Sequence, residues 1–385
     1  MIGQFNMPNI ALLLSMGYSV TIAANFSFGN TFSDNDSEDL LHTLKAENIE
    51  VHNVKFDRNI FSFNNISAYK QVKKLIDENN YSLIHCHSPI GSVVARLAAK
   101  KHRKSGTHVT YSAHGFHFYK GAPILNWLIY YPIEKWLSKY TDALITINTE
   151  DYVLAKQKMK AKNIYYTHGV GVDKSKFSVS TIDRKTKLQE LGLPKDATVM
   201  ISIGELSKRK NHQAAIKAIS RIKEDNLYYI ICGQGKLKGA LLNLCKRLKV
   251  ENRVLFLGYR TDTADLLHMS DVFVFPSLQE GLPVALMEAM MSGLPCVVSK
   301  IRGNVDLLEH GKGGFICDVN KADEYSEAIK TVLKNRDMGK YNQSVMQKFN
   351  TETVMEQMKG IYIEGLNIST IPGRFRVLHK SVAIR

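Results

Sequence analysis

Short runs of β-branched and apolar residues recur along this chain, and between them lie stretches with apolar residues at helical spacing. "SVTIAAN" (19–25), "SLIHCH" (82–87), "THVTYSAH" (107–114) and "DALITIN" (142–148) make one series. "TVMISIG" (198–204), "LYYIICG" (227–233), "RVLFLG" (253–258), "DVFVFPS" (271–277) and "LPCVVS" (294–299) make a second. Strand runs alternating with helical stretches imply parallel strands joined by crossover helices, and this constrains the fold more than any other feature. In "ISAYKQVKKLIDENN" (66–80), for example, Ala68, Val72 and Leu75 share one helical face and lysines take the other. The Gly-rich start of "GVGVDKSKF" (169–177) separates the two series. The expectation is two doubly wound α/β domains, 1–168 and 169–366, followed by a basic, weakly patterned tail, 367–385, with no assigned place. A chain of 385 residues that is 44% hydrophobic can fill two such cores, each of roughly 150 to 200 residues.

Composition narrows the class. No stretch approaches the roughly 20 apolar residues of a membrane-spanning helix, and the N-terminus lacks the basic and apolar regions of a signal peptide, so a cytoplasmic location is expected. Cys86, Cys232, Cys245, Cys296 and Cys317 are odd in number and scattered, which suits core thiols in a reducing compartment. The formal charge of +15 favours a polyanionic partner: a nucleotide, an anionic membrane surface or nucleic acid. Nucleic acid is the weakest of these, because no RNP-like aromatic motif, zinc finger or compact helix-turn-helix signature is present.

"PSLQEGLPVALMEAMMSGLPCVVS" (276–299) carries Glu280 before Gly-Leu-Pro and Glu288 in a helical run. In open α/β sheets, ligands sit beyond the carboxyl ends of strands, where helix N-termini present free N–H groups. Pro283 suits a first helical turn, which leaves the amides of Gly281 and Leu282 to meet an anion. A carboxylate beside a phosphate is repelled, so Glu280 and Glu288 are better placed to accept hydrogen bonds from hydroxyls on either side of a diphosphate. That combination describes a nucleotide sugar. The competing reading makes Glu280 an N-terminal cap and Glu288 an exposed helix residue.

The segment resembles the E-x7-E signature of the retaining glycosyltransferases of family four, which have two Rossmann-like domains facing across a cleft, the GT-B architecture. The resemblance runs from the N-terminus to about residue 365. "SAHGFHFYKGAPILNWLIYYPIEKWLSKYTDALITINTEDY" (112–152) is similar to enzymes that build capsular or exported polysaccharide repeats on a lipid carrier. The resemblance implies that Glu280 contacts hydroxyls of the donor sugar, that Gly281 and Leu282 supply amides, and that Glu288 binds the ribose. It places Lys210, in "GELSKRKNHQ" (204–213), on the diphosphate and His114 near the donor sugar. Gly204, Arg209, Gly233 in "CGQGK", and Tyr259 with Arg260 in "LGYR", fall in donor-binding loops by the same likeness. The implied reaction is retaining transfer of a hexose or N-acetylhexosamine from a nucleotide diphosphate sugar, expected to be UDP-linked, to a lipid-linked saccharide on the inner face of the cell membrane. His114, Glu280 and Lys210 carry the catalytic roles. No metal and no bound cofactor are expected.

Other features receive separate readings. His85 and His87 alternate along a strand and lack a third ligand, so they read as core or cleft residues. Asp34-Asn35-Asp36 matches the DxD pattern of metal-dependent transferases of another fold, yet it reads as a solvated acidic loop. The stretch 123–140 holds Trp127 and Trp136 in an apolar stripe expected to be core; with Lys120, Lys135 and Lys139 beside it, the alternative is a membrane-docking face. Glu205 stands where many family members carry an arginine facing the diphosphate. The first strand of the family's N-terminal domain has no counterpart at the start of the chain, and its loss would open an apolar slot in the sheet. These departures keep two alternatives in view, an inactive nucleotide-binding partner subunit and a nucleotide-sugar epimerase of the same fold.

Overall fold

The computed structural model describes residues 6–26, 34–57, 59–60, 62–179, 182–366 and 379–384, and the side chains of all of these except 34–37 and 379–384. The first six strands are β1 (Tyr18–Ala24), β2 (Glu50–Asn53), β3 (Tyr81–Cys86), β4 (His108–Ala113), β5 (Ala143–Thr146) and β6 (Asn163–Tyr166). Then come β7 (Thr198–Ile203), β8 (Leu227–Cys232), β9 (Val254–Gly258), β10 (Val272–Phe275), β11 (Cys296–Ser299), β12 (Gly314–Cys317) and β13 (His379–Ile384). Every strand run named from the sequence forms a strand. Two compact units result, Met1–Val170 with Val354–Arg385, and Gly171–Thr353.

The first unit is built on a seven-stranded sheet in the order β2-β1-β13-β3-β4-β5-β6, parallel throughout. The slot expected beside β1 is occupied. β13 lies between β1 and β3, with Ser381 opposite Val20 and Val382 opposite Ile84. The tail thus has a place that its composition did not reveal, since "HKSVAI" supplies β-branched residues and backbone groups for both neighbours. One face of the sheet packs on the Asn64–Glu78 helix, whose Ala68, Val72, Leu75 and Ile76 are buried, and on the Pro89–Ala98 helix. The other face is covered by Ile10 and Leu13 of the Met7–Ser15 helix and by Met358, Ile361 and Tyr362 of the Thr351–Gly365 helix.

The second unit has a six-stranded parallel sheet, β12-β11-β10-β7-β8-β9. Its core includes Ile216 and Ile219 of the His212–Ser220 helix and Tyr325, Ile329 and Val332 of the Ala322–Lys334 helix. All five cysteines are buried and free.

Two expectations are corrected. Asp34 and Asp36 belong to a helix, Asp34–Ala46, rather than to a loop. The stripe in the Ile124–Leu137 helix is core only in part: Trp127, Tyr130 and Tyr131 pack half-buried against the core and Leu137 is fully buried, whereas Ile124, Leu125 and Leu128 are 77, 62 and 68% exposed and Trp136 is 46% exposed. Glu134 is buried beside Leu137. Glu134 reaches inward because the fully buried Arg96 grips it, Nη1 to Oε1 at 2.5 Å and Nη2 to Oε2 at 3.2 Å, while the guanidinium stacks 4.4 Å from the centre of the Tyr111 ring.

Candidate active site

In the second unit the chain passes from β7 outward to β8 and β9, then returns to the other side of β7 with β10 and continues to β11 and β12. The strand order therefore reverses between β7 and β10, and loops diverging from their carboxyl ends leave a crevice there. Lys210 follows β7 and Glu280 follows β10, so the two residues singled out from sequence meet at this point. Lys210 Nζ and Arg209 Nη1 each lie 2.8 Å from the same oxygen, Glu280 Oε1. Lys210 also sits 4.5 Å from the centre of the Phe275 ring. The loops are tied further: Leu278 N–H donates to the Arg209 carbonyl at 2.8 Å, and the Asn211 side chain donates through Nδ2 to Pro276 O at 3.0 Å.

Burial holds the Lys210 ammonium below the usual lysine pKa, and the attraction of Glu280 opposes that shift. Lys210 and Arg209 converge on Glu280, with Glu205 a weaker second anion acting on Lys210, so a polyanion entering the crevice competes with carboxylates for these cations. Glu280 is itself nearly buried, and its Oε1 accepts hydrogen bonds from both cations. Glu205 is exposed to solvent.

The glycines earn their place by close approach. A Cβ on Gly233 would stand 1.9 Å from the Gly204 carbonyl oxygen, and one on Gly204 would come within 3.1 Å of the Lys210 side chain. Gly204 N–H donates to Cys232 O at 2.9 Å, and Gly233 N–H donates to Gly258 O at 2.7 Å, so the ends of β7, β8 and β9 are laced together. Tyr259 is 49% exposed beside them. Arg260 is committed elsewhere, to Asp262 at 2.7 Å and Glu190 at 2.8 Å; these hydrogen bonds raise its pKa further and lower that of Asp262.

The Val284–Met291 helix begins one residue after Pro283, so that proline precedes the first turn rather than forming part of it. Glu288 lies within the helix, half-buried and not an exposed surface residue. Burial pushes its carboxyl up to about 7, with Lys176 pulling weakly in the other direction. Sequence reasoning missed Arg302 and Gly303. Arg302 Nε donates to the Glu280 carbonyl at 3.1 Å, and Gly303, at φ 80°, lies so close that a Cβ would meet Gly281 O at 2.4 Å. Together they support the 280–282 loop. The signal was an Arg-Gly pair just past β11, at another strand's carboxyl end.

His114 belongs to the first unit, just after β4. Its Nε2 lies 3.4 Å from His87 Nδ1, and the two rings stack at 5.6 Å. His85, one turn of the strand pleat behind, is buried between Tyr362 OH (2.7 Å) and Ser112 Oγ (2.8 Å). Burial lowers its pKa to about 3, which keeps it neutral. Tyr362 OH in turn lies 3.4 Å from Asn9 Oδ1, so two helices brace the strand end that carries these histidines. Among the described residues no cluster of three or more His, Cys, Asp or Glu is arranged to hold a metal ion, and no helix is long and apolar enough to cross a membrane.

Comparison with known proteins bears on both units. Residues 183–348 match the family model "Glycosyl transferases group 1", and residues 31–148 match "Glycosyl transferase 4-like". The putative glycosyltransferase EpsD of Bacillus subtilis is 33% identical over 374 residues, 95% of this chain and 94% of that protein. An Escherichia coli UDP-Gal:alpha-D-GlcNAc-diphosphoundecaprenol alpha-1,3-galactosyltransferase is 30% identical over 320 residues, 80% of this chain and 81% of that one. Among solved structures, Anabaena HepE in complex with UDP and glucose superimposes with a TM-score of 0.75 at 20% identity, covering 90% of this chain and all of that one. The fold is that of the GT-B glycosyltransferases.

Proposed function

Because this chain belongs to the group 1 glycosyltransferases, we propose that it moves a hexose or N-acetylhexosamine, with retention of configuration, from a UDP-sugar to a lipid-linked saccharide during exopolysaccharide or capsule synthesis. The observation that carries the reading is the joint pairing of Lys210 and Arg209 with Glu280 at the reversal point of the second sheet. The relatives support the acceptor class: the E. coli enzyme is named for a diphosphoundecaprenol substrate, and so is a Campylobacter jejuni N-acetylgalactosaminyltransferase, 28% identical over 190 residues.

In this mechanism the incoming diphosphate competes with Glu280 for the two cations. Lys210 and Arg209 turn to the phosphate oxygens, and Glu280 is released to accept hydrogen bonds from hydroxyls of the donor sugar. Glu288 does the same for the ribose, and its burial favours a ligand that donates hydrogen bonds to the ionised carboxylate. As the sugar–phosphate bond loosens, negative charge grows on the departing diphosphate, where Lys210 and the amides of Gly281 and Leu282 stabilise it. The acceptor hydroxyl attacks the same face and passes its proton to the leaving phosphate, while His114 orients the sugar ring. Gly204, Gly233, Tyr259 and Arg260 belong to the loops that hold the nucleotide, Arg260 acting through the position of its backbone. With two protein cations at the phosphates, transfer needs no metal. The enzyme works as a peripheral protein on the inner face of the membrane.

The test is UDP release from a panel of UDP-sugars, with and without a diphosphoundecaprenol-linked acceptor. Acceptor-dependent release by the wild type, lost in Glu280→Gln, supports the reading. UDP binding without any transfer favours an inactive partner subunit, and absence of UDP binding overturns the proposal.

A further inference from the structure

We propose that the first unit holds an isoprenoid segment of its acceptor's lipid in an apolar cavity alongside β4, a site that rests on the lipid-linked acceptor of the functional reading and extends it. The cavity measures about 540 Å³ and lies between the Asn64–Glu78, Pro89–Ala98 and Ile124–Leu137 helices. That size is ordinary for a small-molecule site. Its wall is aliphatic and aromatic, with Ile66, Ile90, Val93, Leu97 and Phe118 among the residues that face it.

Three observations choose the occupant. The first is a sparse polar grip. Of the polar side chains in the lining, Glu134 is held bidentately by the buried Arg96, Asn65 accepts from Asp57 N–H and donates to Asn59 O, and Ser62, His117 and three tyrosines are scattered among the apolar residues. A sugar or a base needs several convergent donors and acceptors to be oriented, whereas a hydrocarbon chain needs none. The second is position. Gly115, Phe116 and His117 line the cavity and directly follow His114, so it adjoins the strand end whose histidine is proposed to orient the sugar that the lipid-linked acceptor receives. Its wall is fixed there, because Phe116 N–H donates to the buried Asp151 at 2.9 Å and the His117 ring stacks on Tyr130 at 4.7 Å. The third is the rim. Phe63 and Ile66 are 85 and 54% exposed at the mouth, and the helix on the other side exposes Leu125 and Leu128 with Lys120 and Lys139 nearby in sequence. Apolar tips interspersed with lysines match an anionic membrane surface, from which a lipid chain enters.

The experiment uses the full chain and three probes: farnesyl phosphate, monomethyl phosphate as the headgroup alone, and phosphatidylglycerol vesicles with or without undecaprenyl phosphate. Binding is read by isothermal titration calorimetry, a signal that a tryptophan introduced into the cavity does not disturb. Farnesyl phosphate is expected to bind at least about tenfold more tightly than monomethyl phosphate, and Val93→Trp, which fills the cavity, is expected to remove that advantage. UDP binding stays as in the wild type. Should Val93→Trp fail to fold, Ile66→Asn at the exposed mouth carries the same expectation with little effect on the core. Equal affinity for the two phosphates, or chain-dependent binding that survives both substitutions, overturns the site. So does vesicle binding that undecaprenyl phosphate does not strengthen, which would make the face a membrane contact alone. Loss of UDP binding in the wild type would count against the donor reading and leaves these lipid measurements to decide the cavity on their own.

Discussion

Replacing Glu288 by glutamine tests whether the second unit stores an electrostatic penalty for its donor. The carboxyl has an ordinary pKa of 4.5 and is raised by burial to about 7 in the fold. Between these values the folded state binds more protons than the unfolded state, so stability falls as pH rises through this window and the full penalty is present above pH 7. At about 1.4 kcal/mol per pKa unit, the penalty is on the order of 3 kcal/mol at pH 8 and under about 1 kcal/mol at pH 5. Glu288→Gln cannot ionise and escapes it. The variant is therefore expected to gain about 2 to 2.5 kcal/mol relative to wild type on going from pH 5 to pH 8, while its affinity for a UDP-sugar falls. Both tryptophans lie in the first unit, so the assay is urea unfolding followed by hydrogen exchange in peptides covering 284–291, at both pH values. A difference between variant and wild type that does not change with pH would refute the argument, because desolvation of an ionised group would then not be its source.

Further outcomes follow from other contacts. Lys210→Ala is expected to lower kcat/KM by about 100-fold or more, with the loss in kcat, if the lysine acts on the leaving diphosphate; a change confined to KM would contradict that role. Transfer is expected to persist in excess EDTA, and abolition restored by a divalent ion would overturn the assignment of charge neutralisation to Lys210 and Arg209. Glu134→Gln leaves Arg96 buried without its counter-charge and is expected to cost about 3 to 5 kcal/mol, most of it recovered in Arg96→Met/Glu134→Leu; denaturant melts followed by Trp127 would measure this. Deleting 379–384 removes a strand bonded on both sides and is expected to destabilise the first unit by roughly 5 kcal/mol, counting net hydrogen bonds alone. An unchanged tryptophan transition would contradict that expectation.

The strands and the E-x7-E segment were legible because each rests on local pattern: β-branched runs of the right length, and turn residues at a strand's carboxyl end. Lys210 could be placed by likeness, but its pairing with Glu280 could not, because the two are seventy positions apart and meet only through the order of strands β10 and β7. The Ile124–Leu137 helix misled for a related reason. An apolar stripe signals burial only where another element covers it; here Trp127, Tyr130, Tyr131 and Leu137 turn inward with Glu134, which is held by Arg96 from a distant part of the sequence, and the remaining apolar residues stay uncovered. Arg302 and Gly303 act on the 280–282 loop through a carbonyl and a missing Cβ, which leave no compositional trace. The place of β13 was the hardest to see, since a six-residue run in a basic tail carries no sign of which sheet it joins.

That strand also sets an order of assembly. As the polypeptide leaves the ribosome, β1 and β3 emerge early, yet the segment that joins them is made only after every residue of the second unit. The second unit can therefore complete its sheet while the first still has two unsatisfied edges in its middle, open to wrong partners. Until the last strand is made, correct closure of this sheet competes with mispairing at those two edges.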